Sequence, residues 1–153
     1  MGGEPHLKVM PTVLKGGPGV LAREITIQAP PDIVFSYFID PTKHVKWQGT
    51  EVEVDPRPGG QIRVNFGPGY VAAGTYLEVD PPKKLVYTWG WVEEGSTVVP
   101  PGSSTVEVTF EQVGDATVVR LCHAGLPEEA LAFHRDGWDE GLSALHTVLT
   151  TPR

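Results

Sequence analysis

The sequence predicts an α+β domain in which a curved antiparallel sheet wraps around one long C-terminal helix. Three observations carry this. From residue 50 to 123, apolar and polar residues alternate in short runs cut by Gly and Pro clusters, the pattern of a β-meander. Near the end the period changes: Leu131, Trp138, Leu142, Leu145 and Leu149 recur at 7, 4, 3 and 4 residues, a helical stripe. One more strand and a helical insertion precede the meander. At 153 residues the chain is one domain by size, able to bury roughly 70% of its unfolded surface.

Residues 1–20, with Pro5, Pro11 and Pro18 among several glycines, read as a flexible arm, and residues 21–151 as the domain. Leu21–Gln28 alternates and is β-branched at 25–27, so it forms the first strand, which Pro30-Pro31 ends. Ile33/Tyr37 and Val34/Phe38 stand at i,i+4, giving a short helix with one apolar face. A second short helix follows in residues 40–47, with Asp40 as its N-cap. Six strands come next: 51–55, 62–66, 70–80, 84–92, 105–113 and 117–123, the last two joined at Gly114-Asp115. Residues 93–104 read as a long polar loop, a lid or rim. Pro127, Glu128 and Glu129 suit the first turn of the final helix, which runs from about 127 to 149. Gly137 and Gly141 each weaken it by about 1 kcal/mol relative to Ala. Either something approaches the helix closely there or the face is exposed and frayed.

Composition excludes several roles. A net charge of −7 disfavours a phosphate-binding surface, so no nucleic-acid partner is expected. The single cysteine, Cys122, forms no intrachain disulfide. The N-terminus has no apolar h-region, and His6 stands where a myristoylation signal needs Ser or Thr. No stretch approaches a membrane span. A cytoplasmic location is the expectation.

The order of pieces resembles the Bet v 1-like, START-related superfamily known as SRPBCC. Within it the sequence resembles the family related to the C-terminal domain of the activator of Hsp90 ATPase. The resemblance is carried by Arg23–Phe35, Asp40–Trp47, Pro58–Val64, Gly74–Trp89 and Gly137–Leu145, and it spans about residues 20–150. It implies a helix-grip fold: a seven-stranded curved antiparallel sheet gripping the long helix, with two short helices between strands 1 and 2. A cavity between sheet and helix is implied as well. Fold alone does not fix function here, because family members include ligand binders, cyclases and co-chaperones.

Candidate chemistry is sparse. The five histidines show no i,i+4 pair and no familiar ligand spacing, so neither a metal nor another cofactor is expected. Cys122 and His123 are strand neighbours that point to opposite faces, so they cannot form a dyad, and Cys122 reads as a small buried hydrophobe. Leu85, Tyr87, Trp89 and Trp91 share one strand face, as do Val106, Val108 and Phe110, and Val119, Leu121 and His123. If these faces look at the helix, they form a pocket wall around His123 or a filled core in which His123 is hydrogen-bonded. Asp136–Glu140 and Arg135–Asp139 read as a solvated helix face.

The residues expected to contact a ligand are Trp47, Phe66, Tyr87, Trp89, Val108, His123, Trp138 and Leu142; no catalytic residue is assigned. The leading expectation is a binding domain for a small hydrophobic molecule, a lipid or an aromatic metabolite. One alternative is a cyclase-, dehydratase- or hydrolase-type enzyme using His123 with Tyr87 or Glu78. The other is a co-chaperone-like stress-response module contacting an Hsp90-type chaperone. A homodimer is left open.

Overall fold

The computed structural model describes residues 8–92 and 98–150. Eight strands form one antiparallel sheet: β1 (Thr12–Leu14), β2 (Leu21–Ile27), β3 (Glu51–Val54), β4 (Gln61–Asn65), β5 (Val71–Asp80), β6 (Lys84–Val92), β7 (Ser104–Val113) and β8 (Ala116–Ala124). Their order across the sheet is β1-β2-β8-β7-β6-β5-β4-β3. Helices α1 (Pro31–Ile39) and α2 (Pro41–His44) link β2 to β3, and α3 (Leu131–Thr150) closes the chain after a 3-10 turn at Glu128–Ala130.

The helix-grip architecture is therefore present with one strand more than the seven expected. The extra strand is β1, which lies inside the stretch read as an arm and pairs Thr12 with Glu24, Val13 with Arg23 and Leu14 with Ala22. Three residues between Pro11 and Gly16 are too short for alternation to register, so only the pairing exposes it.

Local chemistry explains the remaining boundaries. The Asp40 carboxylate accepts from the Thr42 amide and caps α2, as its position predicts. Strand β6 buries Leu85, Tyr87 and Trp89 on its inner face, and β8 buries Val119, Leu121 and His123. Helix α3 lays His134, Trp138, Gly141, Leu142 and Leu145 against them, spaced at 4, 3, 1 and 3 residues. Arg23 of β2, buried, donates to Asp139 of α3 at 2.7 Å and ties the helix to the sheet.

The core continues under α1, where Phe35 and Phe38 meet Phe110 edge-on at 5.1 Å. Of the expected lid loop, residues 93–97 lie outside the described residues. Its remainder packs against β6, where Val99 is buried and its carbonyl accepts from the Trp91 amide at 2.7 Å. Gly90 permits this, since a Cβ there would fall 2.1 Å from the Pro100 carbonyl oxygen. No helix among the described residues is long and apolar enough to cross a membrane.

Candidate functional site

One aromatic cleft of about 400 Å³ opens between the N-terminal half of α3 and the ends of β4 and β6. Three segments build it. The turn after β4 brings Phe66 and Tyr70 together, because the Phe66 amide donates to the Tyr70 carbonyl at 2.7 Å across Gly67–Gly69. Strand β6 contributes Trp89 and Trp91, two residues apart and so on one face. Helix α3 contributes Phe133, His134, Asp136, Gly137, Trp138 and Glu140. Gln48 completes the lining from the segment after α2.

The rings contact one another at angles rather than in parallel. Trp89 lies 5.6 Å from Trp138 and 5.9 Å from Trp91, while Trp91 lies 5.5 Å from both Phe66 and Phe133. The interplanar angles among these pairs run from 44° to 85°. Phe66, Tyr70 and Phe133 are more than one third exposed and form the mouth.

Behind this wall His123 and His134 have both ring nitrogens committed. An indole nitrogen only donates, so the 2.9 Å contact from Trp138 Nε1 makes His123 Nδ1 the acceptor. His123 Nε2–H then donates to Ser104 Oγ at 2.8 Å, and the Ser104 hydroxyl donates to the Trp89 carbonyl at 2.6 Å. The chain Trp138–His123–Ser104–Trp89 thus fixes a neutral tautomer. Burial, then the neighbouring His134, hold His123 down at about 3.

His134 repeats the device: Nδ1–H donates to the Ala130 carbonyl at 2.8 Å, and Nε2 accepts from Trp91 Nε1 at 2.9 Å. Burial lowers it as well, partly opposed by that backbone contact. The two imidazoles stand 5.2 Å apart, each clamped by its own tryptophan.

Of the residues expected at a ligand, Phe66, Trp89 and Trp138 line the cleft. Tyr87, Val108, His123 and Leu142 are buried in the core, outside the lining. Trp47 is also buried, stacked on His44 at 4.8 Å and 9°, with its indole donating to the Tyr37 carbonyl at 2.7 Å. Its ring packs 3.5 Å from where a Cβ of Gly141 would lie, so that glycine marks a close approach, whereas a Cβ at Gly137 would meet nothing within 4 Å. Cys122, expected to be buried, is half-buried instead on the face opposite His123; burial, then Glu107, push its thiol up.

The acid/base set His123, Tyr87 and Glu78 does not assemble. His123 is spent on Ser104 and Trp138, and Glu78 faces Lys84 at 3.5 Å on the surface. The Tyr87 hydroxyl is buried without a hydrogen-bond partner, and burial, then Tyr76, push its phenol far above the ordinary range. Trp89 Nε1 is likewise buried and unpartnered.

Four ring-bearing residues of the lining, Trp91, His134, Phe133 and Tyr70, escaped the sequence reading of the site. Trp91 was on the right strand face, and His134 stands four residues before Trp138 on the same helical stripe. A search for apolar recurrence skips a histidine. Phe133 and Tyr70 carry no periodic signal, because they reach the cleft from the exposed side of a helix and from a turn.

Comparison with known proteins places this geometry. Residues 28–150 match the family described as "Activator of Hsp90 ATPase homolog 1-like protein". The solution structure of an AHSA1-like protein from Rhizobium etli is 45% identical, with a TM-score of 0.68, covering 85% of this chain and 81% of that one. CalU16 from Micromonospora echinospora is 30% identical with a TM-score of 0.71, covering 86% of this chain and 74% of that one. An Hsp90 activator from Plasmodium falciparum is 26% identical with a TM-score of 0.70, covering 86% and 97%. An uncharacterized protein of Schizosaccharomyces pombe is 26% identical over 111 residues, 70% of this chain; the match spans 30% of that protein's length.

Proposed function

This chain belongs to the activator of Hsp90 ATPase homolog 1-like family, and on that footing we propose that it is a binding domain whose aromatic cleft holds a small hydrophobic molecule. One observation carries the reading: a cleft of about 400 Å³ walled by six aromatic residues, open beside the buried hydrophobic core. Apolar walls with few polar groups are what a small-molecule site presents. Exposed apolar walls of this extent beside a bare glycine are the kind of surface that marks a binding groove.

The test is a titration of the full chain with 1-naphthol, followed by tryptophan fluorescence, with Gly137→Leu as the blocked control. Saturable quenching that the substitution abolishes supports the reading. Quenching that is linear to the solubility limit, or that the substitution leaves intact, removes it.

The family description and the Plasmodium relative favour a second reading, contact with an Hsp90-type chaperone. A pull-down with purified chaperone, with and without nucleotide, separates the two, since it does not depend on the cleft being open.

A further inference from the structure

We infer that the guest of this cleft is a hydrophobic cation, an apolar body carrying a compact amine or quaternary ammonium head. The inference rests on the cleft being a binding site, as proposed above, and adds the sign of the charge.

Electrostatics and ring geometry both point that way. Six of the eleven lining residues are aromatic, and their π faces carry negative potential that attracts a cation. Among the described residues, the charged ones in the lining are Asp136 and Glu140, both acidic, and no lysine or arginine lines the cleft. Lys8 holds Glu140 at 2.9 Å, whereas Asp136 has no ion-pair partner among the described residues, so one carboxylate at the mouth is uncompensated. His134, the lining group able to become positive, spends both nitrogens on Ala130 and Trp91.

An anion entering here would meet two carboxylates and no donor charge. A neutral guest would gain burial alone. A cation gains burial, the ring faces and Asp136 together. Shape narrows the class further. The contacting rings stand at 44° to 85° to one another, so they present inclined faces rather than one flat wall. Inclined faces can meet a rounded head from several sides, which suits a trimethylammonium group.

The test compares benzyltrimethylammonium with neopentylbenzene, its neutral carbon isostere, on the full chain at pH 7.5 and low salt, by tryptophan fluorescence. The cation is expected to bind at least about tenfold more tightly, the range of a partly desolvated cation–π site. Asp136→Asn and Phe133→Leu, both at exposed positions, are each expected to lower the cation-to-isostere affinity ratio about threefold or more. Equal or tighter binding of neopentylbenzene overturns the inference while the cleft stands as a hydrophobic site. Binding of neither probe, with 1-naphthol also failing, overturns both readings. A tenfold preference untouched by either substitution places the cation elsewhere and likewise overturns the inference.

Discussion

Gly137 offers a substitution in which stability and binding should move in opposite directions. It lies inside α3, its φ is not in the left-handed region, and a Cβ added there meets no atom within 4 Å. Nothing in the folded backbone therefore requires glycine, yet glycine costs a helix interior about 0.8–1 kcal/mol relative to Ala. Gly137→Ala should recover most of that, raising Tm by about 2–4 °C for a chain of this size. Gly137→Leu should recover nearly as much, because leucine is almost as good a helix former. Its four side-chain carbons, each roughly the 30 Å³ share of a water molecule, would occupy nearly a third of the 400 Å³ cleft. Probe affinity should fall by tenfold or more while Tm rises. Thermal unfolding by circular dichroism and the fluorescence titration read the two effects separately. A lower Tm for Gly137→Ala, or undiminished binding by Gly137→Leu, would refute the reasoning.

Other consequences follow from the buried polar groups. His44, buried, is held down at about 4 mainly by burial, and His123 at about 3, against 6.5 in the unfolded chain. As pH falls below 6.5 the unfolded state takes up protons that the folded state refuses, so stability is complete above that pH and declines below it. From pH 7 to pH 5 the two together should cost about 3–4 kcal/mol in urea unfolding; a flat profile over that range would contradict their neutral, buried state. Ser104→Ala strips partners from His123 Nε2–H and from the Trp89 carbonyl, and should cost about 1–3 kcal/mol; unchanged stability would dissolve the proposed chain of hydrogen bonds. Asp139→Asn leaves the buried Arg23 charge without its anion and should cost about 2–3 kcal/mol, less than a fully buried pair because Asp139 is partly exposed.

Most of the fold was legible in the sequence because periodicity and turn chemistry are local. Alternation in 51–55, 84–92 and 105–113, the Pro-Pro stop after β2 and the Asp40 cap each mark an element within a residue or two of its observed end. β1 was not legible, since three residues at a sheet edge take their conformation from pairing with Arg23 and its neighbours. The cleft was legible only in part. Trp89 and Trp138 announced themselves by residue type on a clear inward face, as did Tyr87, Val108 and Leu142. Which inward residue meets a void and which meets a neighbour depends on how far α3 stands from each strand, and no local pattern records that. His123 shows the same limit: its position was legible, but its partner Ser104 and the donor Trp138 converge only in three dimensions.

The indole N–H signals of the four tryptophans test the central claim most directly. Trp89, Trp91 and Trp138 line the cleft, whereas Trp47 lies outside the lining with its N–H on the Tyr37 carbonyl. In a ¹⁵N-indole-labelled sample titrated with 1-naphthol, the first three resonances should shift together along one saturable curve while Trp47 stays nearly fixed. Resonances that all stay fixed at the solubility limit, or a Trp47 shift as large as the others, would contradict a binding site in this cleft.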